Sequence, residues 1–242
     1  AATMLAPAMI YRLRKIRKEY DIIHIHHPDP MACLALFLSG YKGPVVLHWH
    51  SDILKQKMLL KLYDPLQKWL LRRAEVIVGT TPVYVKESPF LEEIQYKVTS
   101  IPIGVDKMKP VPERVAQVRE KYRGKKIIFS LGRLVEYKGY EYLIRAACQL
   151  TDDYVILIGG KGPLWEYLQT LIDELGVADK VKLLGFIEDQ YLPDYFGACD
   201  LFCLSSIWKT EAFGIVQIEA MSCGKPVIAM NIPESGVNWV NM

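Results

Sequence analysis

DYVILIGG (153–160), then an amphipathic run over 163–175, then KVKLLGF (180–186), is the stretch that decides the fold. The first flanking segment is a continuous apolar run over 154–158, as a strand buried on both faces of a parallel sheet requires, and the second is apolar apart from Lys180 and Lys182. The run between them has helical spacing. Strand, helix and strand of these lengths make one βαβ unit. The rhythm continues on both sides: KKIIFSLG (125–132) with a helix over 138–150, a helix over 188–198, DLFCLSS (200–206), a helix over 213–223 and PVIAM (226–230). It also runs through the first half, as DIIHIHH (21–27), a helix over 30–39, PVVLHWH (44–50), a helix over 55–73, EVIVGT (75–80) and KVTSIPI (97–103). GVDKMKPVPE (104–113), with two prolines and mixed charge, reads as the linker between the halves. The expected fold class is therefore α/β, with two doubly wound parallel-sheet lobes, one over 1–105 and one over 106–242.

A 242-residue chain that is 51% hydrophobic is long enough for two such lobes. Its longest apolar runs, such as Met31–Leu38, are about half of a membrane span, which needs roughly 18 or more residues. The opening AATMLAPAMIYRLRK lacks the charged-then-apolar order of a secretory signal, and the chain reads as a fragment without either end. The five cysteines, Cys33, Cys148, Cys199, Cys203 and Cys223, form no C-x-x-C pair and read as small core residues.

Charge is uneven. Residues 1–105 hold 14 Lys and Arg against 9 Asp and Glu, and the remainder holds 16 against 18. The excess lies in two clusters, Arg12, Arg14, Lys15, Arg17, Lys18 and Lys55, Lys57, Lys61, Lys68, Arg72, Arg73. Apolar residues recur between them at helical spacing, including Leu59, Leu60, Tyr63, Leu66 and Leu70 in the second cluster. A basic amphipathic helix either lies on an anionic membrane or covers a sheet with a solvated basic face.

Chemistry in doubly wound sheets sits at the carboxyl ends of strands. Here those ends carry Gly132-Arg133 with Lys138-Gly139, Gly159-Gly160-Lys161-Gly162, and Ser205-Ser206 with Glu211 and Gly214. Arg133 and Lys138 are two cations suited to phosphate. The helix start at Gly214, with the main chain of Ile215 and Val216, offers unpaired N–H groups to an anion. Beside a diphosphate, carboxylates suit hydroxyl groups, which they accept two at a time. Glu219 lies about 7–8 Å along the helix from Gly214, and Glu211 precedes it on the loop. Ribose on one side and a sugar on the other would match that layout. GGKGPL lacks the third glycine of a dinucleotide fingerprint, and no Walker A loop is present.

These residues resemble a known family. S-S…E-A-F-G-I-V-Q-I-E-A-M-S-C-G-K-P-V-I-A (205–229) is similar to the E-x7-E region of family 4 retaining glycosyltransferases, which have two Rossmann-like lobes in the glycosyltransferase-B architecture. G-R-L-V-E-Y-K-G (132–139) looks like its phosphate-binding segment, V-L-H-W-H-S-D (46–52) its N-lobe segment, and I-P-I-G-V-D (101–106) its interlobe junction. The resemblance implies an N-lobe that is incomplete here and a C-lobe incomplete at its end.

It further implies a metal-independent hexosyltransferase. The substrate would be a nucleotide sugar, UDP- or GDP-linked, with no further cofactor, and the acceptor a glycan or lipid-linked hydroxyl. Arg133 and Lys138 would hold the diphosphate, Glu211 the transferred sugar, Glu219 the ribose, and the main chain at Phe186 and Ile187 the base. His50 would face the anomeric carbon. The expected setting is cell-envelope polysaccharide biosynthesis in the cytoplasm, with the basic lobe against the inner face of the membrane and no nucleic-acid partner. A nucleotide-sugar epimerase of the same fold and an inactive nucleotide-binding fragment are the alternatives.

All five histidines, His24, His26, His27, His48 and His50, fall within residues 24–50. Two H-x-H pairs on adjacent strands could bind zinc. The favoured reading makes His50 a cleft residue with His26 or His27 nearby, His24 and His48 core residues, and leaves the site without metal.

Overall fold

The computed structural model describes residues 6–53 and 57–242. Two compact units divide between Pro102 and Ile103.

Unit 1 runs α1 (Ala8–Ile16), β1 (Ile23–His27), α2 (Pro30–Ser39), β2 (Val45–Trp49), α3 (Lys57–Arg73), β3 (Val76–Gly79), α4 (Pro82–Lys86), a 3-10 turn (Glu92–Lys97) and β4 (Val98–Ser100). Its four strands pair in parallel in chain order. Local chemistry sets the helix starts. Asp29 accepts from the main-chain N–H groups of Met31 and Ala32, both at 3.0 Å, and Pro30 opens α2. Thr81 and Pro82 do the same for α4.

Part of the basic surface is structural. Arg17 donates to the Ser39 carbonyl at the end of α2, and Arg73 donates to the Gly43 carbonyl. Lys55 lies outside the described residues, as do the side chains of Lys57, Leu59 and Leu60.

Unit 1 departs from burial on both faces of the sheet. Ile25 and His27 are buried in β1, whereas His24 and His26 between them are exposed. Strand alternation puts these two pairs on opposite faces. His24 is therefore not a core residue, and His48 is only half-buried. The core histidine is His27, whose ring stacks on Trp49 at 3.8 Å. Cys148 is likewise exposed, on a 3-10 turn.

Unit 2 runs α5 (Pro112–Lys121), β5 (Lys126–Leu131), a 3-10 turn (Glu136–Lys138), α6 (Tyr140–Ala146), β6 (Tyr154–Gly159), α7 (Trp165–Glu174), β7 (Val181–Gly185), α8 (Leu192–Ala198), β8 (Leu201–Leu204), α9 (Ile215–Ser222), β9 (Val227–Ala229) and α10 (Val237–Val240). All its strand pairs are parallel, in the order β7-β6-β5-β8-β9. Both faces are covered. Ile127, Phe129, Val155 and Leu157 enter one core with Phe196, Phe202 and Ala220. Ile156 and Ile158 enter the other with Leu143, Leu168 and Ile172.

The proline-rich segment proves to be linker only in part. Pro112 occupies the first turn of α5, where its missing N–H costs nothing. Two aspartates dock this helix. Asp194 is buried and accepts from the Val111 N–H at 2.8 Å and from the Arg114 guanidinium. Asp200 takes a bidentate pair from Arg119 at 2.9 Å and the Ile127 N–H at 2.7 Å.

The order of β5 and β8 decides where a ligand can bind. The chain steps outward from β5 through β6 to β7, then returns to β8 on the far side of β5. That reversal opens a crevice beyond the carboxyl ends of β5 and β8. The loops there approach too closely for side chains. A Cβ on Gly160 would sit 1.9 Å from the Gly132 carbonyl oxygen, and one on Gly139 would sit 2.2 Å from the Ser205 carbonyl oxygen. Gly160→Ala is expected to cost about 3 kcal/mol or more in urea unfolding, because backbone must move. Gly124→Ala, where nothing lies within 4 Å, should cost only the left-handed strain of about 1–2 kcal/mol. Equal losses would contradict this packing.

Candidate functional site

The crevice is built from the loops that follow β5 and β8. Hydrogen bonds to main-chain carbonyls stitch them together: Ser205 Oγ donates to the Lys138 carbonyl at 2.7 Å, and the Ile207 N–H donates to the Tyr137 carbonyl at 2.9 Å. This stitching fixes the 3-10 turn that carries Lys138.

From that turn Lys138 Nζ reaches Glu211 Oε2 at 2.5 Å, and both side chains are about nine-tenths shielded. Ser206 Oγ donates to the same Oε2 at 2.7 Å. Glu211 Oε1 accepts no hydrogen bond among the described residues, and two N–H groups of the Lys138 ammonium remain for other acceptors. The Glu211 loop is held from its other side, where Ser235 Oγ donates to the Glu211 carbonyl and the Gly236 N–H to the Ala212 carbonyl at 3.1 Å. Burial of a cation and a carboxylate is tolerable because each neutralises the other.

Directly after this loop comes the start of α9. Gly214 is its N-cap at φ 74°, no side chain caps the first turn, and that turn contains no acidic residue. Its N–H groups lack a side-chain acceptor at the positive end of the helix dipole. The helix begins at Ile215, one residue later than Gly214. Glu219 lies one turn further on and is half-buried. Burial first, and the charge of Asp189 second, push its carboxyl above the ordinary range.

At the end of β7, Phe186 and Ile187 point differently. Phe186 is 62% exposed, with Lys161 Nζ 5.5 Å from its ring centre. Ile187 is buried in the core. The Gly160 N–H donates to the Gly185 carbonyl at 2.7 Å, tying this loop to its neighbour.

The structure thus brings together Lys138 and Glu211, and places Gly214, Ile215, Val216 and Glu219 on the segment that follows. Arg133 is exposed, and its side chain makes no polar contact among the described residues. Ser206, Lys161 and Asp189 had no assigned role in the sequence reading. Ser206 carried a signal, being a hydroxyl immediately beyond a strand end.

His50 belongs to unit 1. It follows β2, and its Nε2 lies 2.7 Å from His26 Nδ1. Four rings, His24, His26, His48 and His50, form a stack along one face of β1 and β2. Burial and then the neighbouring imidazoles lower the basicity of His50, and push His48 down to about 4.

Comparison with known proteins identifies the family. The model of the family described as glycosyl transferases group 1 matches residues 113–237, and that of glycosyltransferase family 4 matches residues 3–108. The chain belongs to the group 1 glycosyltransferases, with the glycosyltransferase-B architecture. It is similar to D-rhamnosyltransferase WbpZ of Pseudomonas aeruginosa, at 33% identity over all of this chain and 63% of the relative. It is also similar to the O-antigen chain mannosyltransferase C of Escherichia coli, at 31% identity over all of this chain and 64% of the relative. Among solved structures, Anabaena HepE in complex with UDP-glucose matches with a TM-score of 0.76 and 25% identity, covering 95% of this chain and 64% of that one. The chain spans less than two thirds of the length of these relatives.

Glu219 yields a prediction with a definite sign. A raised carboxyl pKa means that the native state keeps its proton to higher pH than the unfolded chain. Ionisation of Glu219 therefore costs stability as pH rises through the carboxylate range and the raised native value. Glu219→Gln should raise Tm at pH 7 and leave it unchanged at low pH, where both states hold the proton. A lower Tm at pH 7 would contradict the burial of a charged group here.

Proposed function

We propose that this chain is part of a retaining glycosyltransferase. It would move a sugar from a UDP- or GDP-linked donor to a hydroxyl of a glycan or lipid-linked acceptor. One observation carries the reading: at the β5/β8 switch point, Lys138 and Ser206 hold one oxygen of Glu211 and leave the other open, beside the uncapped start of α9. That arrangement offers a cation and N–H groups to a diphosphate, and a carboxylate oxygen to a sugar hydroxyl, within one crevice.

The chemistry follows from the charges. Departure of the nucleoside diphosphate develops negative charge on its β-phosphate. Lys138 keeps two N–H groups for that charge, Arg133 is exposed and uncommitted, and the α9 start adds a dipole. Such contacts strengthen as the bond breaks, which is what lowers the barrier. Glu211 Oε1 would accept from the transferred sugar, Glu219 from the ribose, and the exposed Phe186 with the main chain through Ile187 would border the base. With this much fixed positive charge, the diphosphate needs no metal ion. His50 would orient or polarise the sugar in the whole protein.

The relatives' names support the substrate class. They act as rhamnosyl- and mannosyltransferases, one on O-antigen chains and one, from Mycobacterium leprae, on phosphatidyl-myo-inositol. Among the described residues no helix is long and apolar enough to cross a membrane. Contact with a lipid-linked acceptor at the cytoplasmic face would fall to the basic surfaces of α1 and α3.

In the full-length protein, Lys138→Ala and Glu211→Ala should each lower turnover a hundredfold or more, about 3 kcal/mol of transition-state stabilisation. Near-normal rates in either variant would remove the assignment.

A further inference from the structure

His24, His26 and His48 have no role in the donor chemistry proposed above, and their geometry suits a different ligand. We propose that His24, His26 and His48 bind a single divalent transition-metal ion of the zinc class. The parallel register sets His26 directly beside His48, and His24 shares their face one pleat away. One ring nitrogen of each lies within 4.8 Å of the others. A tetrahedral zinc with bonds of about 2.0–2.1 Å needs its ligand nitrogens about 3.4 Å apart. The broad imidazole χ2 well allows the rings to close that gap without moving backbone.

One further observation points to an ion rather than to idle surface histidines, and two others are compatible with it. His48 Nε2 is shielded from solvent and has no hydrogen-bond partner among the described residues. Such an orphan nitrogen is costly unless something ligates it. His26 contacts His50 at 2.7 Å, and an imidazole has two nitrogens, so it can hold the ion with one and His50 with the other. The nearby carboxylates are occupied elsewhere: Asp29 caps α2, and Asp52 accepts from Trp49 Nε1 at 2.9 Å and Ser88 Oγ at 2.7 Å.

Three imidazoles with no carboxylate favour zinc, copper or nickel over magnesium or calcium. They also leave a fourth coordination position for water or a substrate atom. Bound there, the ion would clamp β1 to β2 and, through His26, orient His50. The site lies within unit 1 and uses none of the residues assigned to the diphosphate, so zinc binding and donor binding can fail separately.

The test uses the 242-residue chain without a histidine tag, stripped with chelator and titrated with zinc, with magnesium and calcium as controls. Expected is one zinc per chain at about micromolar affinity, no response to the controls, and a visible cobalt spectrum of tetrahedral type after substitution. His24→Gln and His48→Gln should each weaken zinc binding tenfold or more. His24 is exposed, so its variant should keep the wild-type circular dichroism and Tm without metal. Absence of binding, or binding that both variants retain, would overturn the proposal.

Discussion

Everything at the crevice depends on how closely main chain can approach main chain beyond the carboxyl ends of β5, β6 and β8. Gly160 lies against the Gly132 carbonyl and Gly139 against the Ser205 carbonyl, at separations that exclude any side chain. This interlock turns three loops that would otherwise be mobile into one rigid rim. Hydrogen bonds then register the rim, from Ser205 Oγ to the Lys138 carbonyl and from the Ile207 N–H to the Tyr137 carbonyl. Lys138 and Glu211 are 73 positions apart in sequence, yet they meet at 2.5 Å across this rim.

That meeting has an electrostatic logic. A buried cation or carboxylate alone would be expensive, and together they are tolerated. Ser206 shares the burden by donating to the same oxygen. The arrangement leaves Glu211 Oε1 and part of the Lys138 ammonium unspent, which is the property a donor site needs. Glu219 stands in a different condition, half-buried with a second carboxylate near and no side-chain hydrogen bond among the described residues. In the proposed reading, that cost is offset when a hydroxyl pair arrives.

Much of the fold was legible because burial on both faces leaves a simple mark. Strands such as 154–159 are unbroken apolar runs, and helices of fitting length separate them. Two failures are instructive. Pro110 and Pro112 together looked like a linker, but Pro112 opens α5, and a proline in a first turn reads the same as one in a loop. His24 reads as a core residue, yet it is exposed. Alternation separates the two faces in the sequence, and only the burial of Ile25 and His27 shows which one is covered. At the site, residue types and strand ends singled out Lys138 and Glu211, each for its own role. Their mutual ion pair was invisible, since it arises from the reversal of strand order at β5 and β8.

In the proposed function, the crevice of unit 2 holds a nucleotide sugar by its diphosphate. Calorimetric titration of the chain with UDP and GDP, against uridine and guanosine, tests it most directly. The account predicts measurable binding of at least one nucleoside diphosphate without added metal, and none of its parent nucleoside. Equal binding of nucleoside and diphosphate, or binding of neither diphosphate, would contradict it.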